Sequence, residues 1–580
     1  MPSFSRRDFL KISALTLGAV TVSTGLGGCN NSDDNNDDDS AVSATFTHGV
    51  ASGDPLHDAV VLWTRAVPNT GSEPVTVRWE VATDAEFINL THSGQTQVSA
   101  EHDYTIKVDV RNLNAGQTYH YRFVAGGTTS DSGTTRTLPE GFIASVKLAV
   151  MSCSNYPAGF FHAYAEAALE PDLDAVVHLG DYIYEYDGDG YATEDAEALG
   201  RTLAADNNVE IIELADYRRR YALYRTDSDL QTLHAAKPFI CVWDDHEITN
   251  DTWKEGAENH NEGEGDFGSR KLNALRAYFE WMPIRPFMEG DEERIYRTFR
   301  FGDLVSLHML DTRVIGRDEQ LSLGSYLTGE GLNAAAFQAD LTDPNRTLLG
   351  AEQLSWLQTA LAQSSTTWDV LGQQVLMGRM NLPAELLLNL GSGTGAVAES
   401  LEQLTVIKLR YLQNDTSLTE AEIARVTSTL PYNLDAWDGY FAEREAVLET
   451  ARALDRNLVV LAGDTHNAWA NDLKTLSGQA VGVEFATSSV TSPGFEEFLQ
   501  LTAETVPPTE EALTFLVDDL KYTNLNQRGY MVVTFTPQEA RADWRFLDTV
   551  KMPDYQIDGQ RSNSLRVLPG AANRKLVAAG

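Results

Sequence analysis

Five short clusters along the chain carry the side chains that metal-assisted chemistry uses. They are Ser152-Cys153-Ser154-Asn155, Gly180-Asp181-Tyr182-Ile183-Tyr184, Asp244-Asp245-His246-Glu247 with Asn250 close behind, Asp311-Thr312-Arg313, and Gly463-Asp464-Thr465-His466. Asp, His and Asn offer hard or borderline ligands for divalent and trivalent cations, while a thiolate and a phenolate add electron-rich donors suited to a Lewis-acidic iron. This is a kit for two metals. A lone His after a strand is more often a hydrogen-bonded structural residue, and a lone Asp there commonly caps a helix. The argument therefore rests on the clusters meeting in space.

The elements around them predict that meeting. Each cluster ends an apolar, β-branched run: Val146 to Met151, Ala175 to Leu179, Phe239 to Trp243, Leu304 to Leu310 and Leu458 to Ala462. Such runs read as buried strands of an α/β layer, whose ligand sites lie beyond the carboxyl ends of the strands. Before about residue 140 the rhythm differs. Alternating segments such as Val75-Thr76-Val77-Arg78-Trp79-Glu80-Val81 and Tyr119-His120-Tyr121-Arg122-Phe123 stand between Gly, Asn and Asp turns, the pattern of an all-β sandwich. Leu113 to Tyr121 is similar to the tyrosine corner of fibronectin type III domains. This half holds no catalytic cluster and reads as a structural module.

The motifs together resemble those of the PhoD-like alkaline phosphatases, within the calcineurin-like metallophosphoesterase superfamily. The resemblance runs from about residue 45 to about 550, through His48-Gly49-Val50-Ala51-Ser52-Gly53-Asp54-Pro55, Val61-Leu62-Trp63-Thr64-Arg65, Trp243-Asp244-Asp245-His246-Glu247, Asp435-Ala436-Trp437-Asp438-Gly439-Tyr440 and the clusters above. It implies a four-layer α/β metallophosphoesterase sandwich preceded by an all-β fibronectin type III-like domain, and a site holding ferric iron (Fe3+) and calcium (Ca2+). Carried over residue by residue, Cys153, Tyr184 and His466 would bind iron and Asp181 would bridge to the calcium side. Asp464, with Asp245 or Asn250, would complete the calcium ligands. Asn155 and His246 would hold phosphate oxygens or assist the leaving group. Arg313 and Arg317 would pair with phosphate or sit in a buried salt bridge. The segments Ser322 to Arg346 and Leu386 to Val397 depart from the family pattern.

The implied activity is hydrolysis of phosphate monoesters by metal-held hydroxide, with His246 donating a proton to the departing alkoxide. A phosphodiesterase or phospholipase D of the same family is the alternative. A non-catalytic surface protein is disfavoured because Cys153, Asp181, Tyr184, His246, Asp464 and His466 are all intact.

The termini and the composition place the chain. Ser5-Arg6-Arg7-Asp8-Phe9-Leu10-Lys11 and the apolar stretch Ile12 to Leu26 read as a signal peptide similar to the twin-arginine type, so that export machinery is an expected partner. Leu26-Gly27-Gly28-Cys29 resembles a lipobox, with a lipid anchor at Cys29 and a periplasmic or cell-surface address. The expected divisions are residues 1–29 as signal, 30–43 as a flexible linker, 44–140 as the β-sandwich, 141–550 as the catalytic domain and 551–580 as a tail that is either a lid or an ordered extension. A formal charge of -40, from 84 acidic against 44 basic residues, repels nucleic acid as a standing partner. Cys153 and Cys241 remain once Cys29 is set aside, and export in the folded state argues against their depending on a disulfide.

Overall fold

The computed structural model describes residues 42–286, 293–329, 331–389 and 394–579. The signal, the lipobox with Cys29 and nearly all of the 30–43 linker lie outside the described residues. The five apolar runs are strands, but they belong to two sheets. Val146–Met151, Ala175–His178 and Pro238–Cys241 lie side by side and parallel in a ten-stranded sheet. Val305–Met309 and Leu458–Ala462 flank Trp368–Gly372, all parallel, in a seven-stranded sheet. Register makes their ends level. Met151 stands opposite His178, and His178 opposite Cys241. In the other sheet Met309 stands opposite Gly372, and Gly372 opposite Leu461. The loops that follow these strands therefore leave at the same height.

Side-chain alternation builds the layers, because successive residues of a strand face opposite sides. In Leu458–Ala462, Val459 and Leu461 join the core shared by the two sheets, with Val150, Val177 and Val533 from the first. Leu458, Val460 and Ala462 face outward onto Leu357, Leu361, Val447 and Leu448 of helices Gly350–Gln363 and Phe441–Ala453. Helices His162–Leu169, Leu214–Tyr224 and Phe267–Trp281 cover the outer face of the first sheet through Ala163, Tyr217 and Leu275. The result is helix, sheet, sheet, helix. No helix among the described residues is long and apolar enough to cross a membrane.

The first hundred described residues form a β-sandwich that is not separate from this body. Val77, Trp79, Tyr121 and Phe123 of a five-stranded sheet pack on Val60, Leu62, Val108 and Val110. The strands carrying those last four, Ala59–Arg65 and Thr105–Arg111, also form one edge of the ten-stranded sheet, joined through Val50–Gly53 to Pro238–Cys241. Hydrogen bonding crosses the boundary expected near residue 140. The corner tyrosine is present: the Asn114 amide donates to the Tyr119 hydroxyl at 2.9 Å. At the other edge, Asn563–Val567 and Val577–Ala578 continue the ten-stranded sheet, so the tail is an ordered extension. Within the divergent segment 322–346, Leu327–Thr328 pairs antiparallel with Gly331–Leu332, and helix Ala334–Leu341 follows, with a small core of Phe337, Leu341 and Leu434.

Candidate active site

The loops that leave the level strand ends hold unusual backbone. Cys153, Asp181, Asp464 and His466 take φ of 61°, 53°, 65° and 64°, the left-handed region that L-residues seldom adopt. Such residues persist where surrounding structure over-determines them, and they cluster at functional sites. Gly180, at φ 105°, lets its loop press against the next one: a Cβ there would stand 2.4 Å from the Asp244 Cβ. Glu247 ties the same two loops together, accepting from the amides of Asp181, Tyr182 and Asp244 at 3.0, 2.6 and 2.7 Å.

Three donor groups result, each with ligand atoms within 4.8 Å of one another: Cys153, Asp181 and His466; Asp181, Asp245 and His246; and Asp244, Asp245 and Asp464. Asp181 belongs to two of them. Tyr184 completes the first group, its hydroxyl donating to Asp181 Oδ2 at 3.0 Å and lying 3.2 Å from His466 Nε2. Burial, then the Asp181 charge, pushes the pKa of the Cys153 thiol and of the Tyr184 phenol well above their ordinary values. Burial and the neighbouring carboxylates likewise push Asp244 and Asp464 up, against the pull of Arg313. Asp181 Oδ1 is buried without a hydrogen-bond partner. Crowded acidic donors around an orphaned carboxylate oxygen fit a pair of cations, since bound metal holds such ligands in their ionised forms.

His246 faces this locus. Its Nδ1–H donates to Glu185 Oε2 at 2.7 Å, and Glu185 also accepts from Thr249 Oγ1, the Asn250 amide and Asn259 Nδ2. Burial lowers the basicity of His246, but Glu185, Asp181 and Asp245 outweigh it and hold the imidazole well above its ordinary pKa. Its ring lies 4.2 Å from that of Tyr184 and 5.5 Å from that of Tyr186.

Comparison with known proteins places this geometry. Residues 148–544 match the family model described as PhoD-like phosphatase, and residues 30–139 match its N-terminal domain. The chain belongs to the PhoD-like phosphatase family. It is 33% identical to alkaline phosphatase D of Bacillus subtilis (strain 168), over 97% of this chain and 87% of that protein. A solved structure of PhoD superposes with a TM-score of 0.72 at 30% identity, covering 92% of each chain. The protein is thus a hydrolase of phosphoric ester bonds, a phosphatase of the PhoD-like kind, with groups able to bind metal at the mouth of its two sheets.

Within that family site, the expected residues fall as follows. Cys153, Asp181, Tyr184 and His466 converge, and Asp245 and Asp464 stand on the other side of Asp181. Asn250 donates its side-chain amide to Glu258 at 3.1 Å, whereas Asp245 lies in two donor groups. Asn155 is buried, and its Nδ2 donates to the Tyr191 carbonyl at 3.1 Å. Arg313 is fully buried among carboxylates, pairing Nε with Asp244 at 2.5 Å, Nη1 with Asp435 at 2.9 Å and Nη2 with Asp464 at 2.7 Å. Arg317 pairs with Asp435. For both arginines the geometry is that of the salt bridge, because Asp435, distant in sequence, is folded between them. Asp311 faces inward, accepting from Trp243 Nε1 and the Arg313 amide. Cys153 and Cys241 are both free and buried.

Three contributors escaped the sequence reading. Asp244 was read only as part of a string, yet it shares a donor group with Asp245 and Asp464. Tyr191 stacks on His466 at 6.0 Å, with its hydroxyl 3.0 Å from Nδ1. The buried run Thr487 to Pro493 lines the Cys153, Tyr184 and His466 donors. Thr491 and Ser492 amides donate to the Cys153 carbonyl, the Thr491 hydroxyl to the Asn155 carbonyl, and His466 Nδ1 to the Pro493 carbonyl at 2.6 Å. That last bond leaves Nε2 of His466 as the free ligand atom. The signal was present as a run of small hydroxyl residues directly after strand Ala480–Ala486.

Proposed function

We propose that the protein is an exported, metal-dependent alkaline phosphatase that hydrolyses phosphate monoesters with ferric iron and calcium. The observation that carries this reading is the position of Asp181, which belongs both to a thiol, phenol and imidazole set and to a second set with Asp245 and His246, Asp245 being grouped in turn with Asp244 and Asp464. Cys153, Tyr184 and His466 would suit ferric iron, Asp181 would serve both cations, and Asp244, Asp245 and Asp464 would suit calcium, a hard cation that takes oxygen ligands. Asn250 remains a candidate beside them. When bound, the two cations supply the Lewis acidity that activates water and offsets charge on the phosphoryl oxygens.

The chain's own residues do the rest. Glu185 holds His246 by Nδ1, so Nε2 is the atom that hands a proton to the leaving alkoxide. Asn155 has one amide proton engaged with Tyr191 and a second for a phosphoryl oxygen. Arg313 gathers Asp244, Asp435 and Asp464, a positioning task rather than a grip on phosphate. Export rests on the paired Arg6 and Arg7 and the apolar stretch behind them, and surface tethering on Cys29.

The test combines metal analysis of the purified protein with rates on p-nitrophenyl phosphate and bis(p-nitrophenyl) phosphate. Iron and calcium with faster monoester turnover is the expected result. Full activity with zinc alone overturns the metal assignment, and faster diester turnover overturns the substrate assignment.

A further inference from the structure

Ser492 sits where nothing above gives it a role. It is fully buried, and its hydroxyl oxygen lies 2.6 Å from Tyr184 Oη and 3.0 Å from the Cys153 carbonyl oxygen. A hydroxyl has one proton, so it donates to one of the two. The Cys153 carbonyl already receives two amides, from Thr491 and from Ser492 itself, both at 3.3 Å. The phenol has a different need. Its own proton goes to Asp181 Oδ2, and a phenol that becomes a ligand gives that proton up and turns into an acceptor alone.

We propose that Ser492 is a positioning residue that donates a hydrogen bond to the oxygen of Tyr184, holding that oxygen as an iron ligand and setting its donor strength. The inference rests on the ferric reading of this site. Two features of the fold support it. Ser492 belongs to the Thr487 to Pro493 run, which also anchors Cys153 and His466 by backbone bonds, so the hydroxyl is placed by the same segment that places the other iron-side donors. The Ser489 hydroxyl donates to the Ser492 carbonyl at 2.5 Å, which fixes the turn. Hydrogen bonds from neighbouring groups orient metal ligands and tune them, and a bond to a charged oxygen is stronger than one between neutral groups.

The consequence is spectroscopic. A hydrogen bond lowers the energy of the phenolate lone pairs and so raises the energy of their charge transfer to ferric iron. Ser492→Ala, purified and loaded with ferric iron, is expected to show its visible band at longer wavelength than the wild type. Its affinity for ferric iron, measured by competition with a chelator, is expected to fall about 10- to 100-fold. Ser492→Thr keeps the hydroxyl and should restore both. Resonance Raman spectra of the wild type, refolded in H2O or D2O, add a measurement that needs no variant: the tyrosinate modes should shift on exchange. A coloured wild type with no exchange shift, or with band and affinity unchanged in Ser492→Ala, overturns the role of Ser492 and leaves the iron reading standing. A colourless iron-loaded wild type overturns the iron reading and this inference with it.

Discussion

Glu185 Oε2 accepts the Nδ1–H of His246 at 2.7 Å, and both side chains are buried. The pair is carboxylate to imidazolium in character: His246 is held above its ordinary pKa, and Glu185, despite burial, is held below its own chiefly by His246. A buried charge of either sign alone would be costly, so each side chain stabilises the ionised form of the other.

Glu185→Gln keeps the shape and removes the charge. In the proposed mechanism His246 then loses both its orientation and its support as a proton donor. Turnover should fall about 100-fold, within the 10²–10⁴ that a positioned acid contributes, with KM changed little. Steady-state kinetics decide it; a rise in KM with kcat unchanged would assign Glu185 to binding instead.

Asp181→Asn tests the shared carboxylate. Bound metal and turnover should both drop, turnover by about 100-fold or more, because the charge facing both donor sets is gone. The β-sandwich core around Trp79 and Phe123 is remote from this change, so near-ultraviolet circular dichroism should persist. Retained activity at full metal content would place the chemistry elsewhere.

Tyr184→Phe leaves the ring against His246 and deletes the oxygen. Concentrated wild-type enzyme should be coloured, since a phenolate on ferric iron absorbs visible light and zinc, with a filled d shell, does not. The variant should lose or strongly shift the band and lose activity with it.

Acid should weaken the fold through buried histidines. Burial pushes His178 down to about 3, burial aided by Arg65 and Arg225 does the same to His48, and His234 is also lowered. Each is neutral in the folded chain and binds a proton on unfolding, so its contribution is complete above the unfolded value near 6.5 and is lost as pH falls toward 3. Each histidine removes about 1.4 kcal/mol per pH unit in that window. His178→Gln should melt lower than the wild type at pH about 7.5 yet show a flatter fall below about 6.5. An unchanged slope would mean that His178 takes up no proton on unfolding.

Export is tested at the other end of the chain. Arg6→Lys with Arg7→Lys should leave precursor in the cytoplasm, and Cys29→Ser should release soluble mature protein. Undiminished soluble export in both variants would remove the twin-arginine and lipid-anchor assignments together.

The amino-acid sequence alone determined a great deal here, and for a local reason. Apolar β-branched runs that stop at polar clusters mark strands and their carboxyl ends, and Cys153, Asp181, Tyr184, Asp464 and His466 all sit in the loops that follow such ends. What tertiary structure decided was non-local. The apolar run Ala59–Arg65 reads as a buried strand, but nothing in it reports that its edge is hydrogen-bonded into the catalytic sheet. The acidic surroundings of Arg313 were invisible because Asp244, Asp435 and Asp464 are brought together only when two sheets stack. Ser492 looks like any loop serine in the chain. Only packing of the Thr487 to Pro493 run against the Tyr184 loop, 308 residues away, sets its hydroxyl on the phenol oxygen.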